Sequence, residues 1–422
     1  MKRRDFLKAA LGGGIASGGL LLGSSTGLLP RKAHAAPGLP AVIVVFQRGG
    51  CDGLNTVVPY GDPDYAALRP TIGIAPPDPF DATSAIDLDG FFGLHPSLSP
   101  LKQIFDDQRL AVMPSVHYPD ASRSHFSSQR YIESGENNND TDGWLNRLLA
   151  ATPAGNNLRA VSFGGSLAQS LRGDIPVASF STINSFNLGL NNTEEQQLVD
   201  RVLPIYENEP AVSSSYRQLV HRFGRVLFGS LDSTIGLDPD AYVPENNAMY
   251  PNSSYGRRLK DIAYLLKEPS VELEVATVDI GGWDTHSDQG GGEASGRQAR
   301  GFNQFANGLA ALYQDLGPLM DNVIVVTMTE FGRTAKENGS RGTDHGHASS
   351  WFAFGGAING GVYNGPQGWP GLREEDLERG RYLKDTINHR DIMGDILTNH
   401  MGVNDLSSLL PGHSYQTTGI FG

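Results

Sequence analysis

The apolar runs of this chain are short and rich in β-branched residues, and each gives way to glycine or to a polar loop. Residues 41–46 (AVIVVF), 110–116, 158–163, 271–280, 323–328 and 351–356 read as strands; the unbroken runs among them read as strands buried on both faces. Between these runs the apolar period becomes helical. Leu98, Leu101, Ile104 and Phe105 share one side of residues 96–107, and similar patterns cover residues 127–133, 143–151, 212–231, 253–266, 293–316 and 389–401. Buried strands alternating with amphipathic helices predict an α/β fold, a three-layer sandwich with a mostly parallel central sheet flanked by helices. Residues 60–95, rich in Pro and Asp, read as a surface excursion. Residues 164–245 read as an insertion over the sheet edge, and the helices at 212–231 and 253–266 as covers for the core.

In an open α/β sheet ligands bind where the strands end, so the residues that follow each run carry the chemistry. The first run leads into RGGCDGLN, which holds Asp52 between glycines and then Asn55. The second leads into HYPDASRSHF, where Ser122, Arg123, Ser124 and His125 stand at the start of a helical pattern. Backbone N–H groups and the helix dipole favour negative charge there, so Ser124 fits a nucleophile or an anion anchor, and Arg123 fits phosphoryl or sulfuryl oxygens. The same serine also fits an ordinary N-cap. Residues 271–280 lead into GGWDTH, and in an extended stretch Asp284 and His286 face the same way, placed to bind one ion. Residues 323–328 deliver Glu330, and a Gly-rich loop brings back Asp344, His345 and His347. Carboxylates gathered on one edge repel unless a cation neutralises them. Carboxylate with imidazole suits a divalent metal, zinc first, with Mn, Mg or Ca as alternatives.

The start of the chain changes where this chemistry takes place. Arg3 and Arg4 precede an apolar Ala/Gly/Leu run, and Ala33-His34-Ala35 offers small residues for cleavage, which reads as a twin-arginine export signal over residues 1–35. Residues 36–422 are then a single domain in the periplasm or at the cell surface, with the twin-arginine translocase as a partner during export and no stable transmembrane segment. That route carries folded proteins, so a metal can be acquired first. The segment holds six Lys/Arg and one Asp, so the formal net charge of -13 becomes about -18 without it. Such acidity excludes nucleic acid and anionic membrane surfaces as natural partners. Cys51 is the one cysteine, so no intrachain disulfide can form; with nothing beside it to lower its pKa, it reads as a packing residue.

Taken in order, RGGCDGLN, SRSHF, GWDTH, TEFGRT and GTDHG resemble the exported bacterial family filed as domain of unknown function number 1501. That family is placed in the alkaline phosphatase-like superfamily, beside sulfatases and cofactor-independent phosphoglycerate mutases. The likeness extends over residues 41–402 and implies an alkaline phosphatase-like fold. It matches Asp52 to the first metal-binding aspartate and Ser124 to the helix-capping nucleophile, with Ser122 near enough to compete. Asp284 and His286 match the paired ligands of one metal, more closely spaced than is usual. Glu330 falls where an Asp-His pair ends the next strand, with Phe331 in place of the histidine. His345 matches the late histidine ligand, with Asp344 or His347 as helpers. Cys51 lacks the Cys-x-Pro-x-Arg context of formylglycine sulfatases. The resemblance implies an exported metal-dependent hydrolase of anionic phosphate or sulfate esters, small or polymeric, with Arg123, His125, Asn55 and Arg333 around Ser124. The alternative is a non-catalytic protein that binds a polyanion or glycan through a degenerate site.

Overall fold

Alternation along the first strand, β1 (Ala41–Arg48), sorts its side chains into two separate cores. Ala41, Ile43 and Val45 enter one, Val42, Val44 and Phe46 the other. A strand buried on both faces must be covered on both, which makes the molecule three-layered. The computed structural model describes residues 39–119, 122–136, 142–153, 155–208 and 215–421, and the export segment expected at residues 1–35 lies outside them.

Around β1 the chain forms α1 (Gly53–Thr56), α2 (Tyr65–Leu68), α3 (Lys102–Asp106) and a small sheet of β2 (Val57–Val58), β3 (Ile86–Asp87) and β4 (Gly93–Leu94). Next come β5 (Leu110–His117), α4 (His125–Ser134), α5 (Trp144–Ala151), β6 (Ala160–Phe163) and β7 (Ala178–Phe180). The helices α6 (Asn192–Glu207), α7 (Ser215–Thr234) and α8 (Ser254–Lys267) precede β8 (Val275–Gly281), α9 (Arg297–Leu316) and β9 (Val323–Met328). The chain ends with β10 (Ser349–Gly355), β11 (Gly361–Val362), β12 (Ile387–Asn388) and α10 (His389–Asp395). The large sheet has the order β11-β5-β10-β9-β1-β8-β6-β7, with β12 also on β5.

The pairs of β1 with β8 and β9, of β6 with β7 and β8, and of β5 with β11 and β12 are parallel; β10 alone runs antiparallel, to β5 and β9. The sheet is therefore mostly parallel, as the hydrophobic pattern predicts. Leu259, Ile262, Phe302, Phe305 and Leu309 of α8 and α9 cover one face. Trp144, Leu145 and Leu148 of α5, with Ile392 and Met393 of α10, cover the other. Since β10 reverses direction twice over, β1, β5, β8 and β9 all end on one edge, and β10 starts there. Every motif of chemical interest follows one of those four ends or precedes β10.

Three expectations change. Residues 96–107 are a 3-10 helix, Pro96–Leu101, followed by the short α3, because Pro100 has no N–H for a continuous α-helix. Residues 164–245 do more than overlie the sheet edge, since they contain β7, which pairs with β6 and forms that edge. And α7 covers little of the core: it buries only Gly224, Gly229, Ser230, Leu231 and Thr234, whereas α8 buries Leu259, Ile262 and Leu265 among others. Among the described residues, no helix is long and apolar enough to cross a membrane.

Candidate metal centre

The turn after β1 sets the floor of the site. Gly49 and Gly50 have φ of +124° and +66°, and a Cβ on Gly50 would lie 2.4 Å from the Phe331 ring. Only glycine allows both the left-handed turn and this approach. Phe331, fully buried, stands with its ring 4.8 Å from that of His125 and 4.8 Å from that of His345. The residue found where the resemblance expects a histidine therefore packs against two others.

His125, Asp284 and His345 offer ligand atoms that all lie within 4.8 Å of one another. His286 joins them: its Nε2 is 2.9 Å from Asp284 Oδ1 and 3.1 Å from His345 Nε2. His345 Nε2 is 3.2 Å from the same Oδ1, and His125 Nε2 is 3.7 Å from Asp284 Oδ2. Asp284 and His286, two residues apart, thus meet side chain to side chain.

The other nitrogen of each ring fixes its tautomer. His345 Nδ1 lies 2.9 Å from the carbonyl oxygen of Arg123, which can only accept, so Nδ1 carries the proton. His125 Nδ1 donates to Glu330 Oε1 at 2.8 Å, and His286 Nδ1 to Asp344 Oδ1 at 3.1 Å. In the neutral rings all three Nε2 atoms present lone pairs toward the Asp284 carboxylate, itself an acceptor; the hydrogen bond to Glu330 raises the His125 pKa, and a ring protonated at Nε2 donates to Asp284 instead. Acceptors that face acceptors at 2.9–3.2 Å repel, and a cation among them removes the repulsion. An imidazole held through its far nitrogen by a carboxylate or carbonyl is the arrangement found around metal ions. The donor set, three imidazoles and one carboxylate, fits zinc better than it fits magnesium or calcium, which prefer oxygen.

Charge supports the same reading. Burial pushes the Asp284 carboxyl up, but the Arg333 guanidinium beside it, donating at 2.6 Å, holds it below the usual carboxylate range. Arg333 is buried and also donates to the carbonyls of Gly49, Gly50, Trp283 and Thr343, locking the β1 and β8 loops together. Its donors are spent on Asp284 and on these carbonyls. Burial likewise raises the Glu330 carboxyl, and hydrogen bonds from His125 and Gln129 more than offset it.

The other expected site residues either stand behind these histidines or lie in separate networks. Glu330 is wholly buried and also accepts from the Gly49 N–H at 2.9 Å; it supports His125 from behind, as Asp344 supports His286. Asp52 is buried in a bidentate pair with Arg69, at 2.5 and 2.9 Å, and accepts from Gln289 at 2.6 Å. Asn55 accepts from Arg69 and Tyr65 and donates to the Ile72 carbonyl, so its amide is spent on the same network. His347 is buried, with Nε2 2.7 Å from Asp385 and Nδ1 3.2 Å from Glu378. Burial pushes the Cys51 thiol up, as suits a packing residue.

Ser124 is the N-cap of α4 and is exposed, and its hydroxyl makes no capping hydrogen bond. The Ser122 hydroxyl, by contrast, accepts from the Ser124 N–H at 3.1 Å. Arg123 stacks its guanidinium 4.6 Å over the Tyr382 ring. The sequence places His125 among candidate catalytic residues and not in the group that could hold a metal; its place beside a helix-capping serine is the only signal. Arg69 and Gln129 gave none.

The family model described as Protein of unknown function (DUF1501) matches residues 247–411 and bears out the resemblance over that span. The span holds Asp284, His286, Glu330, Asp344 and His345 but not Ser124 or His125. No curated protein matches the chain. Among solved structures, the chain is similar to a protein in the alkaline phosphatase superfamily from Vibrio parahaemolyticus, at 9% identity, 88% of this chain, 69% of that one and a TM-score of 0.40. It is also similar to the C-terminal periplasmic domain of EcEptC from Escherichia coli in complex with Zn, at 10% identity, 91% and 90% coverage and a TM-score of 0.39. The lipoteichoic acid synthase LtaP from Listeria monocytogenes follows, at 10% identity, 92% and 75% coverage and a TM-score of 0.36.

Proposed function

We propose that this chain is a metal-dependent hydrolase of phosphate or sulfate esters, with a divalent ion held by His125, Asp284, His286 and His345 and with Ser124 as nucleophile. The observation that carries the reading is the convergence of three imidazole Nε2 atoms on one carboxylate, each ring held from behind by a second acceptor. When bound, such an ion supplies Lewis-acid chemistry: it neutralises anionic oxygens and lowers the pKa of a neighbouring hydroxyl. Ser124 stands one residue before His125, at the N-terminus of a ten-residue helix whose free N–H groups favour an anion. Its Oγ would form the new bond to phosphorus or sulfur as the bond to the ester oxygen breaks, the Oγ proton passing to the departing alcohol; water would then cleave the Oγ–phosphorus or Oγ–sulfur bond, returning a proton to Ser124 and releasing the acid. Arg123, against Tyr382, supplies positive charge beside the nucleophile. The substrate is an anionic ester, small or polymeric. Export through the twin-arginine route to the periplasm or cell surface belongs to the same reading and rests on Arg3, Arg4 and the apolar run behind them.

Turnover of aryl phosphate and aryl sulfate panels by protein purified without chelator tests the proposal. Ser124→Ala is expected to abolish turnover and keep the metal, and Ser122→Ala to keep both. An inactive wild type with metal in place would overturn the hydrolase and leave the anion-binding alternative.

A further inference from the structure

The α6–α7 hairpin carries an apolar face that is left exposed among the described residues. In α7, Tyr216, Leu219, Phe223 and Leu227 are 73%, 41%, 52% and 46% exposed, and in α6, Leu198 and Ile205 are 38% and 63% exposed. Their spacings of three, four and seven residues place each set along one side of its helix, so this is a stripe and not a scatter. The residues α7 does bury begin at Gly224, which leaves its N-terminal half outside the core. By typical side-chain areas the stripe exposes on the order of 600–700 Å² of apolar surface, at the upper limit for a monomer and near the ~800 Å² per partner of a standard interface. Between α7 and the edge strand β7 lies a cleft of about 530 Å³, lined by Val177, Phe186, Tyr206, Phe223, Leu227 and Phe228, a socket for apolar side chains.

The area of the stripe selects the partner. α6 exposes Glu194, Asp200 and Glu207 beside Arg201, and in α7 Arg222 already pairs with Asp174 of its own chain at 3.6 Å, so the apolar stripe and not the charges supplies the attraction. A two-fold axis sets the stripe of one copy on that of another, and the area offered is near what each partner of a stable dimer buries. An anionic bilayer would meet the acids of α6 and a chain of net charge -13. We propose that this face is the interface of a homodimer, in which two α6–α7 hairpins pack about a two-fold axis as a four-helix arrangement. Aromatic residues seated in a socket are the usual anchors of such an interface, here Phe223 and Tyr216.

Sedimentation velocity on the purified protein over a concentration series tests this, with Phe223→Glu and Tyr216→Glu in parallel. Both side chains are more than half exposed, so the variants keep the fold, which an unchanged thermal melt of the monomer fraction confirms. The wild type is expected to sediment as a dimer, and each variant to raise the dissociation constant by about a hundredfold or more. A wild type that is monomeric at every concentration overturns the proposal, as does a dimer that both variants leave intact. A monomer that instead co-sediments with phosphatidylglycerol vesicles, and loses this with Phe223→Glu, assigns the face to a membrane and also overturns it.

Discussion

Asp284 is the side chain on which the candidate site turns, because among the described carboxylates it is the one that faces all three imidazoles, and it is itself held by the buried Arg333. Asp284→Asn removes the negative charge at the point of convergence, and metal binding measured by equilibrium dialysis is expected to fall to background. Glu330→Gln is a subtler change. It keeps the shape but weakens the acceptor that orients His125, and metal affinity is expected to fall about 10–100-fold with the fold intact. Asp52 and Arg69 carry a different consequence: Arg69→Ala leaves a buried carboxylate unpaired and is expected to cost about 3–5 kcal/mol in urea unfolding. Asp284, His286 and His345 were legible in the sequence, since glycines at strand ends and a two-residue spacing are local signals. The roles of Glu330 and Asp344 were not. Glu330 supports a histidine 205 positions away, and Asp344 one 58 positions away, and only the fold brings those pairs together. Residue type alone cannot separate a carboxylate that binds metal from one that holds the histidine that does.

Among elements, the strands were the easiest to read and the insertion the hardest. β1, β5, β8 and β9 follow from β-branched runs buried on both faces, and the helices between them from their period. β7 is only Ala178–Phe180, too short for an alternation to register, so in the sequence the edge strand of the sheet merges into the insertion. The insertion is tied down at Asp261 of α8, whose carboxylate accepts from the Ile183 N–H at 3.0 Å. Burial raises the Asp261 carboxyl from 3.8 to about 6. Between those values the folded chain keeps a proton that the unfolded chain has lost, so stability falls as pH rises from about 4 to about 6 and is flat above. Asp261→Asn is expected to abolish this decline and to gain on the order of 1–2 kcal/mol at neutral pH, read from urea midpoints at several pH values.

Over the whole molecule, the site joins segments that are distant in the chain. His125 follows β5, Asp284 and His286 follow β8, and His345 lies in the loop between β9 and β10. On the proposed reading a cation held there would clip three connections at one edge of the sheet, so chelation is expected to lower the melting temperature. At a free metal concentration of a hundred times the dissociation constant, the lost stabilisation is about 2.7 kcal/mol. Net acidity and the α/β layering were legible from composition and pattern alone. The uncovered face of the α6–α7 hairpin was not, since a periodic apolar stripe predicts burial without saying against what. Elemental analysis of protein purified without chelator, set beside Asp284→Asn, His345→Ala and His347→Gln, bears most directly on the metal centre. The predicted result is one divalent ion per chain, zinc first, lost in Asp284→Asn and His345→Ala and kept in His347→Gln. A wild type without bound metal, or an ion that survives the loss of both Asp284 and His345, would contradict it.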